Sequence, residues 1–229
     1  STNINTMLLN VDLGPEVCEL QYLKHLVLFS YGLVSLPEEF KNLKGLVSLD
    51  LSANNFAEIP AILTPENFPN LKSLNLVGNR RWTIKDLRNK DNYDDGIGLY
   101  FNTGTNNSLR QLLLWENLEE LALSNCYIEG SIPDFTVGED GVEAYTQADV
   151  DAWGGDTIQY LADNNMPKIL PNCTGLKLNL NFFTGKLPDW LLYHPHLLEW
   201  IPEILIFNQY EKGINTVGDA VGFDNIEPT

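Results

Sequence analysis

The chain has 229 residues, 44% of them hydrophobic, enough for one domain or a short array of repeats with its own core. Its 14 Lys and Arg stand against 31 Asp and Glu, a net charge of −17, which excludes nucleic acid and anionic membrane surfaces as partners because like charges repel. No run of about 18 apolar residues occurs, so no direct membrane insertion is expected, and three cysteines are too few for a disulfide framework.

The N-terminus, Ser1-Thr2-Asn3-Ile4, lacks a basic stretch followed by an apolar one, so no secretion signal is read in it. Residues 4–22 read as a partial coil. Gly14-Pro15-Glu16-Val17-Cys18-Glu19-Leu20 parallels Leu36-Pro37-Glu38-Glu39-Phe40-Lys41-Asn42-Leu43, and Thr6 to Leu13 would be the tail of a preceding strand and turn. No polar cap is evident there, and the chain is expected to be cut from a longer protein.

From residue 23 a pattern of apolar positions recurs. Leu23, Leu26, Leu28, Tyr31, Leu33 and Leu36-Pro37 form its first instance, with Tyr31 in a slot that elsewhere holds Asn or Cys. Leu46, Leu49, Leu51, Asn54, Phe56 and Ile59-Pro60 form the second. Leu71, Leu74, Leu76, Asn79 and Ile84 form the third, with Arg81 where an apolar residue belongs. Leu118, Leu121, Leu123, Cys126, Ile128 and Ile132-Pro133 are the fourth, and Cys173, Leu176, Leu178, Asn181, Phe183 and Leu187-Pro188 the fifth. Leu23 to Leu46 is 23 residues and Leu46 to Leu71 is 25. Leu71 to Leu118 is 47, close to two coils, and Leu118 to Cys173 is 55, two coils with an excess or one coil with a long insertion. Repeats are accordingly placed near 23–45, 46–70, 71–84, 118–135 and 173–195. Leu109, Leu112 and Leu114 mimic the pattern but start only nine residues before Leu118, too close for a separate coil. Residues 108–117 therefore read as the convex-side segment leading into the fourth strand.

The physical logic follows from the spacing. Two Leu separated by one residue put alternate side chains of a short strand into a core. The Asn or Cys side chain turns inward to bond backbone groups as the chain leaves the strand. One coil cannot bury its own face, so coils stack. Cys126 and Cys173 fall on inward positions, Cys18 lies in an apolar repeat-like segment, and all three read as buried free thiols.

Two segments break the period. In 85–108, Asp91, Asp95 and Gly96 fall at the first, fifth and sixth positions of a calcium loop, but Tyr93 and Asn102 occupy two ligand positions. A polar surface loop is expected instead. In 136–168, Thr146 reads as the N-cap of a helix with Asp149 in its first turn, and Gly154-Gly155 separates it from a second helix over 156–162. Glu139, Asp140, Glu143, Asp149, Asp151, Asp156 and Asp163 make this insertion acidic, but no His or Cys accompanies them, so no metal is expected. From 189 the character changes: Trp190, Tyr193, His194, His196 and Trp200 read as an aromatic cluster packing the last coil, since two His split by Pro195 are poor metal ligands. Residues 196–229 read as a closing segment, with Ile204-Leu205-Ile206-Phe207 a final strand and Phe223 in a tail that closes the array.

The repeated motif resembles that of the leucine-rich-repeat family, with an L-x-x-L-x-L-x-x-N/C-x-L core. The implied fold is an α/β solenoid, a right-handed horseshoe-like superhelix with a parallel concave sheet and an irregular or short-helical convex side, forming a single domain over 1–229. Glu129-Gly130-Ser131-Ile132-Pro133 and Thr184-Gly185-Lys186-Leu187-Pro188 resemble the Gly-x-Ile/Leu-Pro turn of plant-type repeats. The stretch from Lys168 to Pro195, with Phe207 and Gly222-Phe223-Asp224-Asn225, is similar to secreted or surface leucine-rich-repeat proteins of Gram-negative gut bacteria. That resemblance implies a secreted or cell-surface location, often with a lipoprotein anchor and further N-terminal modules. Plant receptors and polygalacturonase inhibitors pair cysteines in both caps, and this chain lacks them. An intracellular interaction scaffold also suits Leu36-Pro37-Glu38-Glu39-Phe40.

Neither a phosphate loop, a nucleophile elbow nor a His-Glu-x-x-His motif is present, so no catalysis and no cofactor are expected. Glu119 and Glu120 are adjacent in a strand, and their side chains should fall on opposite faces. The expected ligand is a protein or carbohydrate bound by a monomer through the concave residues Lys24, His25, Phe29, Asp50, Lys72, Asn75, Glu119, Glu120, Lys177 and Asn179. The alternative is a structural or adhesive surface array without a single specific ligand.

Overall fold

The computed structural model describes residues 13–56, 58–79, 108–204, 208–210 and 217–219, with side chains as far as Trp200. The tail 6–12, the calcium-loop candidate 91–102, Arg81, Ile84 and the closing residues around Phe223 lie outside them.

The repeated leucines build one parallel sheet. Its strands are β1 His25–Val27, β2 Ser48–Asp50, β3 Ser73–Asn75, β4 Glu120–Ala122 and, after β5 Glu129–Gly130, β6 Gly175–Lys177. They lie in the order β1-β2-β3-β4-β6. The central residues align as Leu26, Leu49, Leu74, Leu121 and Leu176. From β2 onward each of these is no more than 1% exposed, while the strand residues on either side are more exposed. Burying one such leucine stabilises by about 1.5–3 kcal/mol. The core runs unbroken from Cys18 to Trp200 and includes Phe40, Phe56, Phe68 and Trp115. The chain is a solenoid with a parallel sheet, the fold that the resemblance to leucine-rich repeats implied.

Each strand is entered the same way. The Lys24 carbonyl accepts N–H groups from both Val47 and Ser48, at 2.7 and 3.1 Å. Val47 accepts from Lys72 and Ser73, Lys72 from Glu119 and Glu120, and Glu119 from Thr174 and Gly175. This shared carbonyl recurs although the sequence separation varies more than twofold. β3 pairs directly with β4, and β4 with β6. The 47-residue spacing therefore adds one strand to the sheet, although its length is close to two coils, and the 55-residue spacing also adds one, as one coil with a long insertion would. Between β4 and β6 the excess chain forms helices outside the sheet.

Below each strand of the sheet after β1 a polar side chain stitches the coils. Asn54 accepts the N–H groups of Tyr31 and Leu33 at 3.0 and 3.1 Å and donates to the Leu28 and Leu51 carbonyls. Asn181 repeats this with Cys126 and Ile128 as donors and Leu123 and Leu178 as acceptors. Cys126 donates its thiol to the Leu76 carbonyl at 3.1 Å, so sulfur does part of the work of the amide. Tyr31 departs from the expected inward slot. Its side chain is 59% exposed, and Asn54 of the next coil bonds its backbone instead. A phenol is too large for the space that Asn fills.

The returning halves of the coils are short helical turns. Pro15–Glu19 and Glu38–Asn42 are 3-10 turns that pack on each other. Helix α1, Ser108–Leu113, buries Leu109, Leu112 and Leu113 ahead of β4. A second small parallel pair joins β5 to β7, Phe182–Phe183, at the two Gly-x-Ile/Leu-Pro turns, where Gly130 and Gly185 have φ of +91° and +79°.

The chain between β5 and β6 carries helices α2, Gln147–Trp153, and α3, Asp156–Asp163. The Asp149 carboxylate accepts the Thr146 N–H at 2.8 Å, which closes the first turn of α2. Tyr145, Ile158 and Leu161 form a small separate core. After α4, Asp189–Leu192, comes α5, Leu197–Ile204. Ile204 therefore ends a helix and does not begin a strand. Leu197, Trp200, Ile201 and Ile204 have the i, i+3, i+4, i+7 spacing of a helix face, and an apolar run of four cannot by itself separate strand from helix. Leu205, Ile206 and Phe207 lie outside the described residues, and β8, Asn208–Tyr210, then pairs antiparallel with β9, Val217–Asp219.

Candidate functional site

The solvent side of the sheet is a lattice of columns fixed by register. His25, Ser48, Ser73, Glu120 and Gly175 form one column, and Val27, Asp50, Asn75, Ala122 and Lys177 the next. Lys24, Lys72 and Glu119 stand one residue before the strands, while Phe29 and Asn179 follow two residues after them.

Side chains brace one another across coils. His25 Nδ1 lies 2.7 Å from Ser48 Oγ. Asn75 donates to Asp50 at 3.2 Å, while the other Asp50 oxygen accepts the Ser52 N–H at 2.8 Å. Ser73 donates to Glu120 at 3.1 Å, Lys72 pairs with Glu119 at 2.7 Å, and Ser124 donates to Asn179. Such exposed pairs add little stability, about 0.2–1 kcal/mol each for ion pairs. Their effect is to restrict rotamers, so a ligand would meet a partly ordered surface.

Of the ten residues expected on this face, the structure gathers Asp50, Asn75, Glu120 and Lys177 around one groove of about 480 Å³. His25 adjoins it through Ser48, which lines the groove. Lys24, Phe29, Lys72, Glu119 and Asn179 lie outside the groove lining. The expectation that Glu119 and Glu120 are adjacent within one strand fails. The strand starts at Glu120, the shared Lys72 carbonyl turns the chain just before it, and both carboxylates are exposed. Sequence reasoning missed Gly175, where an added Cβ would sit 3.3 Å from Glu120 Cγ. Its signal was its column: aligning the coils places it level with His25, Ser48, Ser73 and Glu120.

A second hollow, of about 620 Å³, lies beside this face. The joint between α2 and α3 forms one wall, with Trp153, Gly154 and Gly155, and the coil edge at Glu119 and Thr174 forms another. A third, of about 490 Å³, runs between the two Gly-x-Ile/Leu-Pro turns.

The aromatic cluster after 189 is structural, as its composition implied. Trp190 donates its indole N–H to the Pro133 carbonyl and Trp200 to the Cys173 carbonyl, both at 2.8 Å. His194 is buried against Trp200, with ring centroids 4.1 Å apart. Its Nε2 bonds the Ile169 carbonyl at 2.8 Å, and Nδ1 accepts the His196 N–H at 3.0 Å. Burial holds its pKa down to about 3, so the ring is neutral. His196 bonds the Pro171 carbonyl and Glu199. The ring nitrogens of both histidines are thus engaged within the chain.

A family model described as Leucine Rich Repeat matches residues 117–137. No curated protein matches the chain. Among solved structures, the crystal structure of the Arabidopsis receptor kinase HAESA in complex with the peptide hormone IDA and the co-receptor SERK1 is similar at 24% identity, with a TM-score of 0.45. The likeness covers 82% of this chain and 23% of that one, so this chain spans less than a quarter of that receptor's length.

Proposed function

We propose that this leucine-rich-repeat chain is a non-catalytic module that binds a protein ligand through the concave face of its sheet. One observation carries the reading: five parallel strands bring Asp50, Asn75, Glu120 and Lys177 from four separate coils to one groove. A groove of mixed charge and amide groups suits recognition by hydrogen bonds and ion pairs, which supply specificity more than raw affinity. Its two carboxylates bond Ser and Asn side chains, an arrangement that orders them and does not pair them for acid–base work. The resemblance of the stretch from Lys168 to Pro195 to secreted or surface proteins favours a secreted or cell-surface setting. Among the described residues no helix is long and apolar enough to cross a membrane.

The test is a displayed peptide library panned on the wild-type chain, with each selected peptide then titrated against wild type and an Asp50→Lys, Glu120→Lys double variant. Inverting two charges in the groove should weaken binding by at least about tenfold, since a hydrogen bond to a charged group contributes about 1.5–3 kcal/mol. Peptides that bind both proteins equally would show that the concave groove is not the site. An oligosaccharide array run in parallel reads out a carbohydrate ligand, which would overturn the choice of protein.

A further inference from the structure

The hollow beside the concave face is made of parts that the coil repeat does not require. Its joint, Gly154–Gly155, holds φ of +71° and +92°, a region that side chains disfavour. A Cβ on either glycine would meet nothing within 4 Å, so neither is needed to relieve crowding inside the chain. Together they leave bare backbone open to an incoming group. Trp153, just before the joint, is 46% exposed, whereas Trp115, Trp190 and Trp200 are buried. Its ring is steadied by a perpendicular contact with Tyr145, at 6.3 Å between centroids.

The facing wall supplies charge. Glu119 lines the hollow, and its bond to Lys72 uses Oε1. That pair is half-exposed on both sides, and an exposed pair of this kind is readily shared with a second cation. Pro171 and Pro195 close the sides with rigid apolar surface. An exposed indole and a carboxylate in one hollow match a guanidinium, which is planar, weakly hydrated, stacks on aromatic rings and forks onto carboxylates. The net charge of −17 draws cations toward the whole surface. A neutral sugar ring would use the indole and donate hydroxyls to the carboxylate, but would leave the field without a role.

We propose that this hollow is a second docking site, which receives an arginine side chain of a protein partner over Trp153 and beside Glu119. It adjoins the concave groove, since Glu119 and Thr174 line one hollow and Glu120 and Gly175 the other, but it does not depend on ligand binding there.

The test uses the full chain and a fluorescein-labelled Gly-Arg-Gly-Arg-Gly-Arg peptide amide, titrated by anisotropy at low and physiological ionic strength. Peptides with Lys or Gln in place of Arg are the comparators. Trp153→Ala should weaken binding by about tenfold, the scale of a partly desolvated cation–π contact, and Glu119→Gln several-fold. Asp50→Asn, two strands away from the coil of Glu119, should leave it unchanged within about twofold, which separates this site from the concave groove. The arginine peptide should bind more tightly than the lysine one and shift the Trp153 indole proton in NMR spectra. Equal binding by wild type and Trp153→Ala would overturn the proposal, because attraction to a generally acidic surface would then suffice. A shift of the indole by cellohexaose but not by the arginine peptide would overturn it in favour of a sugar ring. No binding by wild type at low ionic strength would also overturn it.

Discussion

Asn54 and Asn79 occupy the same slot in successive coils, yet their removal should have very different costs. Asn54→Ala deletes acceptors for the Tyr31 and Leu33 N–H groups and the donor to the Leu28 carbonyl. The Leu51 carbonyl keeps the Asn79 amide at 2.9 Å. Three backbone groups thus lose their partner. Each buried group left so costs about 1–3 kcal/mol, and the Tyr31 amide is only partly buried, so the sum is about 4 kcal/mol. Asn79→Ala orphans none among the described residues. The Leu51 carbonyl keeps the Asn54 amide, and the Leu76 carbonyl keeps the Cys126 thiol. The Asn79 side-chain oxygen has no partner of its own, so removing it also relieves a desolvated dipole. Two modest hydrogen bonds lost against that relief leave a net cost within about 1 kcal/mol. The cavity left by Asn→Ala is alike in both and cancels from the comparison. Urea denaturation of the two variants measures the difference. Amide hydrogen exchange then localises it, with Tyr31 and Leu33 losing protection only in Asn54→Ala. Equal destabilisation by both variants would refute the argument that orphaned backbone groups, not the slot itself, set the cost.

His194 should make stability depend on pH below neutrality. Its folded pKa is held down to about 3, while the unfolded chain binds the proton near about 6.5. Between those values the unfolded state carries more protons, so stability is complete above about pH 6.5 and falls as pH drops, with a limiting slope of about 1.4 kcal/mol per unit. Unfolding free energies from urea titrations at pH 6.5 and 5.5, above most carboxylate titration, should fall by about 1 kcal/mol in wild type and not in His194→Gln; an identical fall in both would remove His194 as the cause. The three thiols should stay silent toward an aromatic disulfide reagent until the chain unfolds. All are buried, and burial pushes Cys173 up to about 12, so almost no thiolate forms at neutral pH. Reaction of even one thiol in native protein, at the rate of a free thiol, would contradict that burial.

Features carried by every coil were legible because each was read five times. The inward leucines, the Asn slot and its filling by Cys126 follow from spacing alone, and so does the reading of Leu109, Leu112 and Leu114 as returning chain. The helix pair after Thr146 was legible for a local reason, since cap and first turn lie within four residues. What failed depended on chain from elsewhere. The start of β4 is set by the Lys72 carbonyl, 47 residues before Glu119, so nothing local could tell that the strand begins at Glu120 and leaves Glu119 outside it. The hollow at Trp153 was invisible for the same cause, because Pro171 and Pro195 reach it from two later segments. A repeat constrains only the side chains that face the core. Partner choice must reside in the unconstrained remainder, and there contacts such as Asp50 with Asn75 and Lys72 with Glu119 cross from coil to coil. Periodicity therefore located the surface, while its chemistry had to be read from pairs that no single repeat contains.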